Sequence, residues 1–129
     1  MSEPKWISRE LALMIHGEQL AIFGGAPGLR DAGLLESALD RPRNKWAYGV
    51  EELPELAGAY AFGLARNHPF IDGNKRAAFA CMMVFLRWNG IQFRPSPLEA
   101  TAAIMALAAG EVDEDGLVRW LQDRLAAQG

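Results

Sequence analysis

Apolar residues follow the period of an α-helix along most of the chain. A first helix is predicted over residues 8–22, where apolar positions recur every three or four residues. Gly24-Gly25 ends it, because two glycines in sequence favour a loop. A second, short helix is predicted over residues 32–40, and Pro42 is expected to stop it because proline lacks the N–H that a helix needs.

Four further segments complete the helical pattern. The third helix is predicted over residues 54–66 and the fourth over residues 74–88, whose middle part carries no charge. A fifth helix extends to about Ala109, and a sixth ends the chain. The predicted N-caps are polar residues that precede four of these helices: Ser8, Asp31, Ser96 and Asp113. The pattern predicts an all-α, single-domain bundle of about six helices over residues 1–129, packed around the apolar fourth helix.

Residues 41–52 interrupt this pattern. They contain several basic residues and an aromatic one but show no clear periodicity, and we interpret them as an exposed loop or a small extended flap. The basic and aromatic residues in question are Arg41, Arg43, Lys45 and Trp46.

Composition excludes some classes of protein. Hydrophobic residues make up 50% of the chain and charged residues 22%, which is ordinary for a globular domain. The formal net charge of −3 opposes broad nucleic-acid binding, which needs a basic surface. The longest apolar stretch, from Ala77 to Leu86, is shorter than the roughly 20 residues that a membrane span requires.

With Cys81 as the single cysteine, neither an intrachain disulfide nor a zinc site of several thiolates can form, and a reducing cytoplasm is the simplest location.

The start of the fourth helix has the composition of a phosphate site. The first N–H groups of a helix have no partners within it, and the helix dipole adds partial positive charge there. Gly73 allows a ligand close to the backbone, and Asn74 adds an amide. Lys75 and Arg76 add two cations whose sign opposes the dipole, a conflict that a bound anion would relieve.

The loop before this helix adds an acid and a base. Asp72 is a carboxylate of the kind that holds Mg²⁺ together with substrate phosphates. His68 is a candidate general base, because an imidazole is mostly neutral at pH 7. Taken singly, these residues are as well explained by a turn, a structural histidine and a surface pair of cations. Together, within residues 68–76, they predict a phosphate-binding site.

The same residues resemble the Fic superfamily, whose motif reads His-x-Phe-x-Asp/Glu-Gly-Asn-Gly-Arg-x-x-Arg. Lys75 stands where the motif has its second glycine, and Phe79 stands where it has its last arginine. Both departures are similar to the death-on-curing (Doc) toxin branch. The similarity covers most of the chain, including the segments 23–31, 35–38 and 85–90.

The resemblance implies an activity. Most Fic enzymes hold ATP so that AMP is transferred to a protein hydroxyl. In the Doc branch the nucleotide is reversed, and the γ-phosphate passes to a threonine of elongation factor Tu, which blocks translation. The resemblance therefore implies a kinase toxin of a type II toxin–antitoxin system that uses ATP and Mg²⁺. The residues alone leave open an AMP transferase or a catalytically silent binding module of the same fold.

The resemblance also implies roles for individual residues. By position, His68 would deprotonate the target hydroxyl, Asp72 would hold Mg²⁺, and Phe70 would anchor the loop in the core. The predicted phosphate-binding residues are Gly73, Asn74, Lys75 and Arg76, of which Arg76 would also stabilise the reaction. Fic proteins carry a target-docking flap near residues 41–52, and a solvated basic loop is the other interpretation of that segment. We interpret His16 as structural, and Arg66 as a cap of helix carbonyls rather than a site residue.

The expected partner is an antitoxin. Many Fic proteins block their own site with a helix that reads Ser/Thr-x-x-x-Glu-Gly/Asn, and here no serine or threonine is followed by glutamate four residues later. The resemblance therefore implies a separate antitoxin, a disordered segment that folds into a helix on the toxin.

Overall fold

The computed structural model describes residues 2–128, which fold into six helices around one core. In chain order the helices are α1 (Arg9–Phe23), α2 (Ala32–Ala47), α3 (Leu53–Asn67), α4 (Asn74–Trp88), α5 (Pro97–Ala108) and α6 (Glu114–Ala127). The predicted all-α class is confirmed. None of the helices in this part of the chain has the length and apolar character needed to cross a membrane.

The four predicted N-caps are present in the structure. At each of four starts a side-chain oxygen accepts from the backbone N–H three residues later, at N–O distances of 2.8 to 3.2 Å. The capping residues are Ser8, Asp31, Ser96 and Asp113. Each cap satisfies a group that the helix itself leaves unpaired, so polar residues at these positions fix where the helices begin.

Helices α3 and α4 share the centre, so the uncharged middle of α4 predicted only one of the two central helices. Helix α3 packs against α2, α4, α5 and α6, and helix α4 packs against α1, α3 and α5. The inward residues Cys81, Met82 and Phe85 of α4 are almost wholly buried. Burial raises the pKa of the Cys81 thiol to about 12, so Cys81 stays neutral and acts as a core residue.

The prediction for α2 is wrong at its end. The helix does not stop before Pro42 but continues to Ala47 with Pro42 buried inside it, so residues 41–47 form neither a loop nor a flap. Tertiary contacts outweigh the cost of the missing proline N–H. Arg41 and Lys45, one helical turn apart, both bind Glu114 of α6, with Lys45 Nζ 2.9 Å from Glu114 Oε2.

These two ion pairs change the ionisation of Glu114. Burial opposes its charged form, but the hydrogen bonds from Arg41 and Lys45 outweigh burial and hold the pKa of Glu114 below its ordinary value of 4.5. Since Arg41 and Lys45 are engaged in this contact, they are not free to dock a target protein in the way the flap interpretation requires.

Candidate active site

The segment between α3 and α4, residues 68–73, forms the loop that the sequence singles out, and we call it the motif loop. It begins at His68, which ends α3 in a left-handed backbone conformation (φ 50°, ψ 56°). It ends at Gly73, also left-handed (φ 77°), directly before α4. These two reversals turn the chain from one helix into the next, so the residues between them lie together at the N-terminus of α4.

A second segment lies against the motif loop. Residues 24–31 run antiparallel to it, with an isolated bridge between Leu29 and Phe70. The N–H of Ile71 donates to Gly28 at 3.1 Å, and the N–H of Arg30 donates to Pro69 at 2.7 Å. The segment beside the motif loop is therefore the glycine-rich loop after α1, rather than residues 41–52.

Asn74 holds the motif loop from within. Its Oδ1 accepts from the N–H of Phe70, and its Nδ2 donates to the carbonyl of Phe70, both at 2.9 Å. The ring of Phe70 is 1% exposed, in agreement with its expected role as the anchor of the loop. The side-chain amide of Asn74, which the sequence assigned to phosphate, is thus paired with Phe70 in the structure. A contact of Asn74 with phosphate stays a prediction.

The N-terminus of α4 is open to an anion. No side-chain cap binds the first N–H groups of this helix, in contrast to the four capped helices. Lys75 is exposed. Arg76 is held at the edge of the site, where Nη1 donates to the carbonyl of Gly24 at 3.3 Å and the guanidinium lies 5.4 Å from the ring centroid of Phe23. Unpaired N–H groups and two cations are the donors that a phosphate prefers.

Asp72 is kept ionised and oriented. Hydrogen bonds from the backbone N–H of Ala26 (3.2 Å) and of Gly73 (2.8 Å) lower the pKa of Asp72 below its ordinary value of 3.8, with a smaller effect from nearby Arg76. Gly25 lies close to the Asp72 carboxylate, because a Cβ added at Gly25 would be 2.9 Å from Asp72 Oδ2. A charged, exposed carboxylate is therefore available to a ligand at neutral pH.

His68 is exposed, and its backbone is fixed by Arg30. The Nε of Arg30 donates to the carbonyl of His68 at 2.7 Å, and Nη2 donates to the carbonyl of Asn67 at 2.9 Å. Arg30 thus caps the C-terminus of α3, a role that the sequence suggested for Arg66. The guanidinium of Arg66 instead lies over the ring of Phe62, at 5.4 Å from its centroid.

The predicted site residues share one cavity of about 340 Å³. Its lining residues are His68, Ile71, Asp72, Gly73, Asn74, Lys75 and Arg76. A larger and mainly apolar groove of about 620 Å³ adjoins it, because Lys75 and Arg76 line both. This groove lies between the end of α1, α4 and α5, and its walls include Phe23, Phe79, Met83, Ile104 and Met105.

The cavity offers one carboxylate, that of Asp72, to a divalent cation. Within residues 2–128 no group of three or more His, Cys, Asp or Glu side chains is placed to enclose a metal. The surroundings of Asp72 fit Mg²⁺ nonetheless, since this ion is commonly held by one or two carboxylates together with water and substrate phosphates.

The sequence did not indicate three contributors to this site. His16, on the buried face of α1, places Nε2 2.7 Å from the carbonyl oxygen of Asp72 and stacks its ring on Phe70. Its burial agrees with the structural interpretation, but it also contacts the candidate site, which the sequence gave no reason to expect. Arg30 and Gly25 are the others. The glycine-rich composition of residues 24–28 was the available indication that this loop closely approaches another segment.

Comparisons with known proteins identify the family that the chain matches. The sequence pattern of the Fic/DOC family matches residues 6–86. The chain is 36% identical over 107 residues to a protein named "Protein kinase doc" from Escherichia phage P1, a match that covers 82% of this chain and 84% of the phage protein. It is 48% identical over 73 residues to a protein named "Toxin Doc" from Mycolicibacterium smegmatis, covering 54% of this chain and 55% of that protein.

Proposed function

The chain belongs to the Fic/DOC family, and on this basis we propose that it is a toxin kinase that transfers the γ-phosphate of ATP to a protein hydroxyl. The observation that best supports the proposal is the shared cavity at the start of α4. It combines an exposed imidazole, an ionised carboxylate, unpaired helix N–H groups and two cations. Phosphoryl transfer needs mainly this combination of positioning and charge stabilisation.

In the proposed reaction the target hydroxyl oxygen attacks the γ-phosphorus of ATP. The bond between the γ-phosphorus and its bridging oxygen breaks, ADP leaves, and the hydroxyl proton passes to the imidazole of His68. The N–H groups at the start of α4 and the side chains of Lys75 and Arg76 bind the phosphate oxygens. Asp72 would hold Mg²⁺, which, when bound, offsets negative charge on the phosphates.

The adjoining groove suits the nucleoside end of ATP. Lys75 and Arg76 line both this groove and the polar cavity, and the apolar walls of the groove offer the rings of Phe23 and Phe79 to a nucleobase. Its volume lies in the range of small-molecule sites. In this arrangement the γ-phosphate lies toward His68 and the base lies toward α5, which favours γ-phosphate transfer over AMP transfer.

The proposed target is elongation factor Tu, modified on a threonine, and the proposed partner is an antitoxin. The relatives named for Doc support the antitoxin, whereas the target is proposed from the resemblance of the motif loop to the Doc branch. Several exposed apolar residues line the groove or are next to a lining residue in the sequence, namely Ile22, Phe23, Leu98 and Met105. An antitoxin segment that folded into a helix over these residues would bury them and close the path of the nucleotide at the same time.

A labelling experiment tests the reaction. The purified chain is incubated with Mg²⁺, elongation factor Tu and ATP labelled on either the γ- or the α-phosphate, with His68→Ala as the matched control. We expect γ-label on the target with the parent chain and none with His68→Ala, whose circular dichroism should be unchanged. Transfer of α-label would indicate an AMP transferase instead.

A growth experiment tests the toxin assignment. Expression of the parent chain alone in bacteria should arrest growth, whereas His68→Ala should be tolerated. If both cultures grow normally with ample protein and neither transfers label, the silent binding module is the better explanation. Mass spectrometry of translation factors from the arrested cells would identify the target by a gain of one phosphate.

A further inference from the structure

His16 is a polar side chain in an otherwise apolar setting. It is 5% exposed, and its ring lies parallel to that of Phe70, with centroids 3.8 Å apart and an interplanar angle of 5°. Its Nε2 lies 2.7 Å from the carbonyl oxygen of Asp72. Because a carbonyl oxygen only accepts, Nε2 must carry a hydrogen in this contact.

This hydrogen bond fixes one peptide unit, the one that joins Asp72 to Gly73. Its carbonyl accepts from His16, and its N–H donates to Oδ1 of Asp72 at 2.8 Å. A rotation of this peptide would break both bonds and leave the Asp72 carboxylate with the N–H of Ala26 as its remaining backbone donor, at 3.2 Å from Oδ2. His16 therefore helps to fix the orientation of this carboxylate. The left-handed Gly73 (φ 77°) at the same peptide bond makes this part of the loop the place where the backbone could most easily rearrange.

We infer that His16 is a positioning residue that orients the Asp72 carboxylate for the metal and phosphates of the bound nucleotide. His16 itself lies behind the loop and acts through the backbone of Asp72. This inference rests on the proposed function for its ligand, Mg²⁺ with ATP. The hydrogen bond from His16 to the carbonyl of Asp72 is the same whichever group is transferred. Partners that orient a metal ligand in this way commonly change metal affinity or activity by about 10–100-fold when they are removed.

Two substitutions separate the hydrogen bond from the packing. His16→Phe keeps an aromatic ring against Phe70 but removes the donor, whereas His16→Gln restores a donor close to the position of Nε2. Leu121→Val is the matched control, because Leu121 is buried on α6, which packs on α3 and α5 away from the motif loop. It reports what a mild loss of core packing does by itself.

The first measurement needs no activity. Hydrogen exchange of a peptide covering residues 69–76 should be at least tenfold faster in His16→Phe than in the parent, and near the parent rate in His16→Gln and Leu121→Val. Equal exchange in His16→Phe and in the parent would overturn the inference. Because this measurement needs no nucleotide, it gives the same answer even if the proposed kinase activity fails.

The second measurement concerns the metal. Calorimetric titration of Mg²⁺ with ATP should show about tenfold weaker binding to His16→Phe, with recovery in His16→Gln. In a transfer assay, the Mg²⁺ concentration for half-maximal rate should rise by the same factor, while saturating Mg²⁺ restores most of the rate. The inference would be overturned if His16→Phe and Leu121→Val both lost rate and saturating Mg²⁺ restored neither. His16 would then be only a packing residue.

Discussion

The side chain of Asn74 stabilises the motif loop. Its removal should therefore lower the free energy of unfolding, and any effect on ATP binding should follow from the loss of loop structure. The bridge to Leu29 uses the backbone groups of Pro69 and Ile71, so the N–H and carbonyl of Phe70 have Asn74 as their partner. Asn74→Ala leaves both groups unpaired beside a buried ring. At about 1–2 kcal/mol for each group, the free energy of unfolding should fall by about 2–4 kcal/mol.

Arg76→Ala provides the contrast. Arg76 makes one long hydrogen bond to a loop carbonyl, so its loss should change the free energy of unfolding by less than about 1 kcal/mol. It also removes the proposed charge-assisted contact to phosphate. Such a contact is worth about 1.5–3 kcal/mol, which corresponds to a loss of roughly tenfold to a hundredfold in kcat/KM for ATP. Urea unfolding and steady-state kinetics on both variants test the pair. If Asn74→Ala unfolds at the parent urea concentration yet fails to bind ATP, its amide contacts the nucleotide and our account of the loop is wrong.

Three other substitutions test other parts of the structure. Lys75→Gly should lose γ-phosphate transfer and gain some α-label on the target; a parental rate of γ-transfer would show that Lys75 does not define the reaction. Gly25→Ala places a Cβ against the Asp72 carboxylate and should raise the Mg²⁺ requirement, whereas Gly17→Ala, whose Cβ meets nothing within 4 Å, should not. An unchanged Mg²⁺ requirement in Gly25→Ala would contradict the idea that the short distance between residue 25 and the Asp72 carboxylate matters for Mg²⁺ binding. Glu114→Gln should lower the free energy of unfolding by about 1–3 kcal/mol near neutral pH. Because the folded protein lowers the pKa of Glu114, its contribution is complete above about pH 4.5 and is lost as the pH falls through the lowered value, so the parent and Glu114→Gln should converge in acid-titrated unfolding experiments.

The sequence predicted what depends on local patterns. Helix α4 begins at Asn74 and ends at Trp88, as expected, because a left-handed glycine precedes it and Asn89-Gly90 follows it. The cavity residues were found together because they come from one continuous segment, His68 to Arg76. In each of these cases the deciding interactions lie within a few residues of one another in the chain.

Long-range contacts account for what was missed. His16 meets Asp72 across 56 positions, and Arg30 meets His68 across 38. No periodicity or spacing connects residues so far apart. The end of α2 was mispredicted for the same reason, since the rule that proline ends a helix is local, and the contacts of Arg41 with Glu114 span 73 positions.

The left-handed backbone of His68 has a consequence for how readily the protein could lose its activity. A side chain other than glycine in this conformation costs of order 1–3 kcal/mol, which the capping by Arg30 and the packed loop must offset. A change of His68 to glycine would relieve that strain and delete the proposed base in one step. Loss of the proposed toxin activity by this change would therefore relieve backbone strain instead of adding to it. An inactive chain with glycine at residue 68 would accumulate as a stable protein and could still bind the proposed antitoxin, so that an inactive copy would draw antitoxin away from active ones.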